Sequence, residues 1–344
     1  MSDEKMIETE QSLEEILSRP YPEVVELCKK LKGDIIILGV SGKMGPSLAV
    51  QLKRACNMAG VKKRIIGVAR FSDSNVKKNL DDWGIETIVC DLLERQQVDK
   101  LPDVENVIFM AGMKFGTSSN QALTWAMNSY IPALVAIKFN HSRIIAFSTG
   151  NVYPLVPVSS GGSKETDTPE PIGEYAQSCL GRERVFEYFS SKFSIPSVII
   201  RLNYAVELRY GVLYDIGKKV YNGEKISLEN GYVNVIWQRW ANSVIFRCFS
   251  ICSVPPRILN LTGPEILSVR EIAEEFGRLF KKEPVFEGKE SNSAYLSNAS
   301  ECFKLFGKPD VKPMSIIRWI AHWIEIGGRT FEKPTHFEER KGRY

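Results

Sequence analysis

Residues 33–50 read Gly33-Asp34-Ile35-Ile36-Ile37-Leu38-Gly39-Val40-Ser41-Gly42-Lys43-Met44-Gly45-Pro46-Ser47-Leu48-Ala49-Val50. The run Ile35–Leu38 has the length and uniform apolarity of a parallel strand buried on both faces. It breaks at Gly39, passes through Gly42 and Gly45, and enters an apolar-periodic helix starting near Pro46. Glycines at such a strand-to-helix turn let the backbone come close to a phosphate, and the helix start aims free N–H groups at it. A second strand candidate, Arg64–Ala69, completes the order that gives the glycines meaning. The turn, with Ser41, Lys43 and Met44 between its glycines, predicts a bound dinucleotide.

From Asp34 onward strand and helix patterns alternate. Strands are expected at Asp34–Leu38, Arg64–Ala69, Thr87–Cys90, Asn106–Met110, Arg143–Ser148 and Ser197–Arg201, with helices between, including Pro46–Ala59 and Gln121–Phe139. That order predicts an α/β fold, a Rossmann-like doubly wound parallel sheet over residues 33–203, with a late strand near 257–262. Over residues 204–326 the alternation weakens. Tyr232–Trp237 and Val269–Phe280 suggest a smaller C-terminal α/β lobe that covers the strands' carboxyl edge and holds substrate.

Residues 1–32 are expected to be a helical extension. Its first 26 residues carry eight acids against Lys5 and Arg19; Ser12 with Glu15 has the spacing of a capping box, and Pro22 suits a helix's first turn. The polar tail 327–344 reads as a surface segment, placed to clasp a neighbour. Trp319 and Trp323 share a helical face with Ile316 and Ile320 and are expected in the core.

With 344 residues, 44% hydrophobic and 25% charged, the composition is that of a globular protein with a sizeable core. The net charge of +4 is small and the basic pairs are scattered among acids, which argues against a nucleic-acid surface. No apolar run reaches membrane-spanning length, and the start lacks signal-peptide character. Seven dispersed cysteines fit reduced thiols and a cytoplasmic location, and with three histidines no metal site is expected.

Further features fall at strand ends. Arg70 ends the second strand, where an acid would suit a ribose 2′-hydroxyl and an Arg a 2′-phosphate; this tilts the expected cofactor, NAD(P), toward NADP. Asp91-Leu92 ends the third strand. Ala111-Gly112-Met113-Lys114 follows the fourth, and Ser148-Thr149-Gly150-Asn151-Val152-Tyr153 the fifth; Tyr175 comes 26 residues after Thr149.

Together with Asn128 and Arg201-Leu202-Asn203, these residues resemble the extended short-chain dehydrogenase/reductase superfamily, in particular its NAD-dependent epimerase/dehydratase group acting on nucleotide sugars. The resemblance runs from about residue 33 to about 325 and takes in Leu259-Asn260-Leu261-Thr262-Gly263-Pro264-Glu265. It implies that Gly39, Gly42 and Gly45 hold the pyrophosphate, and Asp91 and Leu92 the adenine. Ala111, Gly112, Lys114 and Asn128 would line the cofactor. Thr149 would bind the reacting oxygen of a sugar or sugar-derived substrate and Tyr175 would be the general acid/base. Asn151, Asn203 and Tyr204 are expected on the substrate, and a homodimer is implied. Arg209, Asn234, Trp237 and Arg239 are further polar or aromatic candidates in the lobe.

One position departs from the pattern. The group's signature is Tyr-x-x-x-Lys, and here it reads Tyr175-Ala176-Gln177-Ser178-Cys179. A phenol with a pKa of about 10 is barely ionised at neutral pH, and a nearby cation brings it toward the working range. A thiol does not. Three readings stay open: Arg182 or Lys114 supplies the charge, Tyr175 works as a neutral donor, or cofactor binds without hydride chemistry. The alternatives to an epimerase/dehydratase are accordingly a non-catalytic NAD(P)-binding sensor or scaffold, and an NADPH-dependent reductase.

Overall fold

A computed structural model describes residues 6–344, so the first five residues of the expected extension lie outside the described part. Seven strands form one parallel sheet: β1 (Ile35–Leu38), β2 (Ile65–Ala69), β3 (Glu86–Val89), β4 (Asn106–Phe109), β5 (Arg143–Thr149), β6 (Ser197–Leu202) and β7 (Arg257–Leu261). Their order is β3-β2-β1-β4-β5-β6-β7, with β1 paired to both β2 and β4. Every residue of β1, β2 and β4 is buried, as their unbroken apolar runs require, whereas the edge strand β3 keeps Glu86 and Val89 exposed. The order reverses between β1 and β4. There the glycine turn and the segment after β4 diverge and open the crevice in which such sheets bind ligands.

Backbone crowding dictates two of the glycines. A Cβ on Gly39, whose φ is +90°, would lie 2.7 Å from the Ala111 amide nitrogen, and one on Gly45 would lie 2.0 Å from the Val40 carbonyl oxygen. The turn thus folds tightly onto both the next strand and its own helix, Gly45–Ala59, which Pro46 starts.

The stretch 121–138 is helical throughout, yet a π-helical turn, Ala126–Tyr130, interrupts it between Gln121–Trp125 and Ile131–Lys138. Such turns frequently mark functional positions, and this one carries Asn128.

The smaller lobe packs helices Val212–Asn222, Val269–Phe280 and Pro313–Glu325 around Phe276, Ile316, Ile320 and Trp323. Trp319 borders this cluster. Within residues 204–326, the helix Gln238–Arg247 and β7 turn back to the main sheet, burying Val244, Ile245, Leu259 and Leu261 there.

The N-terminal extension forms helices Glu10–Ser18 and Pro22–Lys30. The capping box at the start of the first is Thr9 with Ser12, not Ser12 with Glu15: the Ser12 amide donates to the Thr9 hydroxyl and the Thr9 amide to the Ser12 hydroxyl, each at 3.1 Å. Ile7, Leu13 and Leu17 join the core of the small lobe, while Val24 and Cys28 join that of the sheet. No helix among the described residues is long and apolar enough to cross a membrane.

Candidate functional site

The carboxyl ends of the strands bound a cavity of about 290 Å³. The glycine turn supplies Gly42, Lys43 and Met44; the segment after β4 supplies Gly112 and Lys114. The end of β5 brings Thr149 and Asn151, the helix Gly173–Phe193 brings Tyr175 and Arg182, and the chain beyond β6 brings Asn203 and Tyr204. Residues far apart in sequence thus meet in one place.

Gly42 differs from its two companions. A Cβ there would meet only the Gly39 carbonyl oxygen, at 3.4 Å. Protein packing does not demand its missing side chain, and the space above it suits a phosphate at the start of the following helix. Gly39, Ser41, Gly45, Arg70, Asp91, Leu92, Ala111 and Asn128 are not in the cavity lining. Arg70 stands exposed just past β2, and Asp91 just past β3 turns its carboxylate on the Leu93 amide at 3.0 Å. Leu92 is buried in the core, as is Ala111.

Asn128 uses its whole amide on protein. Its Oδ1 accepts from the Met113 amide at 2.9 Å and from Arg182 at 2.6 Å; its Nδ2 donates to the Met113 carbonyl and the Ser178 hydroxyl, both at 2.9 Å. The π-helical turn therefore acts as a bracket that holds the Ala111–Lys114 segment against the helix of Tyr175.

Arg182 completes the bracket, donating to the Phe147 carbonyl at 2.8 Å as well as to Asn128. Its guanidinium is why residue 112 is glycine: a Cβ would sit 2.3 Å from it. Its recorded hydrogen-bond partners are all neutral oxygens, so its charge projects toward the cavity.

Thr149 ends β5 and caps the short turn after it, accepting from the Asn151 amide at 3.2 Å. Its hydroxyl in turn donates to Asn151 Oδ1 at 3.1 Å. Burial holds the Tyr175 phenol well above its ordinary value and Cys179 adds to this; Thr149 and Arg182 pull it back. Cys179, one helical turn on, is 1% exposed and packs on Val152 and Tyr153. Burial raises its thiol pKa, with Arg182 opposing.

Burial lowers the pKa of both lysines of the cavity. Lys114 falls to about 8. Lys43 falls to about 6, with repulsion from Lys114 and Lys333 adding to burial. The Lys114 ammonium lies 5.7 Å from the Tyr175 ring centre, and the Lys43 ammonium lies 3.1 Å from that of Tyr210. Tyr204 keeps a left-handed φ of 46°, a strained backbone of the kind that clusters at binding sites.

The other polar residues of the lobe lie elsewhere. Arg209 is paired with Glu207 at 3.1 Å and with Glu14 of the N-terminal helix at 2.6 Å. Arg239 faces Asp310 and the Tyr21 ring, Asn234 accepts from the Ser297 amide, and Trp237 is core. The cavity also contains residues that sequence reasoning missed: Phe115, Tyr210 and Thr335. Tyr210 and Thr335 come from segments without a motif, so only the three-dimensional fold brings them in.

The NAD dependent epimerase/dehydratase family model matches residues 35–206. No curated protein matches in sequence. Among solved structures, UDP-glucuronic acid 4-epimerase from Bacillus cereus, in complex with UDP-glucuronic acid and NAD, is similar with a TM-score of 0.68 at 16% identity, covering 85% of this chain and 99% of that one. MoeE5 in complex with UDP-glucose and NAD gives 0.70 at 15% identity, with 86% and 99% covered. UDP-glucose 4-epimerase from Thermus thermophilus, in complex with NAD, gives 0.68 at 15% identity, with 85% and 99% covered.

Proposed function

Starting from the fact that the chain belongs to the NAD dependent epimerase/dehydratase family, we propose that it transfers hydride to and from a sugar, nucleotide sugar or sugar-derived substrate. The observation that carries this reading is the meeting of Thr149, Tyr175 and Asn151 in the cavity that also contains the Gly42 turn. Gly39, Gly42 and Gly45, with Ser41, Lys43 and Met44, would hold the pyrophosphate of NAD(P). Asp91 and Leu92 would hold the adenine, and Arg70 the ribose, where its charge favours a 2′-phosphate. When bound, the cofactor supplies the hydride acceptor and donor. Ala111, Gly112 and Lys114 would line its ribose, with Asn128 behind them keeping that segment in place.

Thr149 donates a hydrogen bond to the reacting oxygen, and Tyr175 gives or takes the proton at that same atom. Asn151, Asn203 and Tyr204 orient the rest of the substrate. Arg182 takes over the electrostatic part of the missing lysine: it already stabilises the Tyr175 phenolate, and among the described residues it has no carboxylate on it. Lys114 is the second source of charge, but its depressed pKa leaves it only partly charged near pH 8.

Replacing Tyr175 with Phe removes the proton carrier, so turnover of the best substrate in a sugar panel should fall by about 10²–10⁴. Undiminished turnover would overturn the assignment. A second reading, a cofactor-binding sensor or scaffold, draws on Cys179 and on the high Tyr175 pKa. It predicts NAD(P) binding with no cofactor reduction by any sugar in the panel. An NADPH-dependent reductase would instead bind NADPH exchangeably, with Arg70→Ala weakening NADPH more than NADH. The homodimer draws support from the exposed Tyr130, Ile137 and Tyr188 on the adjoining 126–138 and 173–193 helical regions.

A further inference from the structure

The chain beyond the last helix does not leave the molecule. Thr335 donates from both its amide and its hydroxyl to Asp215, at 2.7 and 2.5 Å. Phe337 is 1% exposed within the small lobe's core, and its carbonyl accepts from Asn230 at 2.6 Å. Past Phe337 the contacts become polar and shallower. Arg340 donates to the Ser293 carbonyl at 2.7 Å, and Gly342 presses on the chain that leads into Tyr175. A Cβ on Gly342 would lie 2.2 Å from the Ile172 carbonyl oxygen, and Gly342 itself has a φ of +72°.

The strap ends by placing Tyr344 over the reacting residues. Its ring stands edge-on to that of Tyr175, with centres 5.5 Å apart, and the Lys114 ammonium lies 4.6 Å over its face. Its hydroxyl accepts from Asn151 Nδ2 at 2.5 Å, and its carbonyl accepts from the Thr117 hydroxyl at 3.1 Å and the Ser118 amide at 3.2 Å. Asn151 and Tyr175 are groups that the proposed reaction turns toward a sugar ring, and Lys114 lines the cofactor beside them. A hydroxyl-bearing six-membered ring of the chain itself now occupies them.

Resting on that proposed reaction, we propose that residues 338–344 are an intramolecular occupant of the substrate subsite, which a hydroxylated ring substrate must displace. Phe337 stays buried and serves as the fixed end, while the contacts beyond it release. A short tether keeps its end at millimolar effective concentration, so the occupant competes even when its own affinity is weak.

A titration that needs no turnover tests this. Gly342→Val, in the full chain, sets its Cβ against the Ile172 carbonyl and keeps the strap from closing. A free heptapeptide with the sequence of residues 338–344 should bind this variant but not the wild type, whose own strap fills the place. A heptapeptide ending in Phe should bind about tenfold more weakly, having lost the bond to Asn151. Absence of binding to the variant, or equal binding to wild type, overturns the proposal. With the sugar turned over in the Tyr175 assay, Tyr344→Ala should lower KM about tenfold. A higher KM would instead make Tyr344 a partner of bound substrate, and an unchanged KM would show that it does not compete; either overturns the proposal. A failed Tyr175→Phe assay would strike the catalytic reading alone, because the peptide titration stands without it.

Discussion

Gly42 and Gly45 sit three residues apart in one turn and answer to different demands. Gly45 is forced by its own backbone, since any side chain would meet the Val40 carbonyl at 2.0 Å. Gly45→Ala should therefore yield misfolded or insoluble protein. Gly42→Ala has room and should fold with an unchanged thermal midpoint, while its Cβ intrudes on the phosphate and weakens NAD binding at least about tenfold. Equal cofactor affinity in Gly42→Ala, read by fluorescence titration, would remove the phosphate from that turn. Arg182 couples both concerns. Arg182→Met strips the Arg182 donors from the Phe147 carbonyl and from the Asn128 amide oxygen, which keeps the Met113 amide; a buried group left unpaired costs about 1–3 kcal/mol. It should also move the alkaline limb of any pH–rate profile upward, because a cation that favours the Tyr175 phenolate is lost.

Among the elements, β5, β6, β7 and the helix of Tyr175 share a polar staple inside an apolar core. Glu183, fully buried, pairs with Arg201 at 2.7 and 3.0 Å and accepts from Ser148; Arg201 reaches the Tyr153 hydroxyl at 2.7 Å, which donates to Asn260 at 2.9 Å. Removing one partner of a buried pair strands the other, so Glu183→Ala should cost about 3–5 kcal/mol in chemical denaturation. A loss below about 1 kcal/mol would mean the pair is solvated. The elements themselves were readable because parallel strands buried on both faces leave unbroken apolar runs, as in Ile35–Leu38 and Val107–Phe109. The site residues were readable where they hang on strand ends. What stayed hidden had no local pattern: the Thr9–Ser12 cap displaces the better-known Ser–Glu spacing, Arg209 finds Glu14 across the fold, and Asn128 shows its bracket role only once a π-helical turn aims it. The tail 327–344 looks polar because its anchors, Phe337 and Tyr344, are isolated in sequence.

At the scale of the whole molecule, the cavity concentrates positive charge that burial works against. Lys43 titrates near 6 in the folded chain, against about 10.4 in the unfolded one. Between these values the unfolded chain holds more protons, so stability rises with pH, and from about pH 6 to 8 this gain belongs to Lys43. Above about pH 8.5 buried thiols such as Cys179 reverse the trend: they keep protons that the unfolded chain gives up. Denaturation midpoints at pH 6, 7 and 8 should rise for wild type and stay flat for Lys43→Met. A saturating dinucleotide should flatten the wild-type slope by restoring the lysine's charge; a slope unchanged by the ligand would place the anion elsewhere.

Leu13 and Leu17 of the first helix lie in one buried cluster with Val206, Phe276 and Trp323. On a ribosome these partners emerge long after it does. At about 5–20 residues per second, the apolar stripe of residues 10–18 waits roughly 15–60 s for the last of them. During that interval the stripe is open to chaperones. Its acidic companions, Glu10, Glu14 and Glu15, keep the nascent segment soluble until the final helix arrives. A helix made well before the other members of its cluster is thus among the last to find its place.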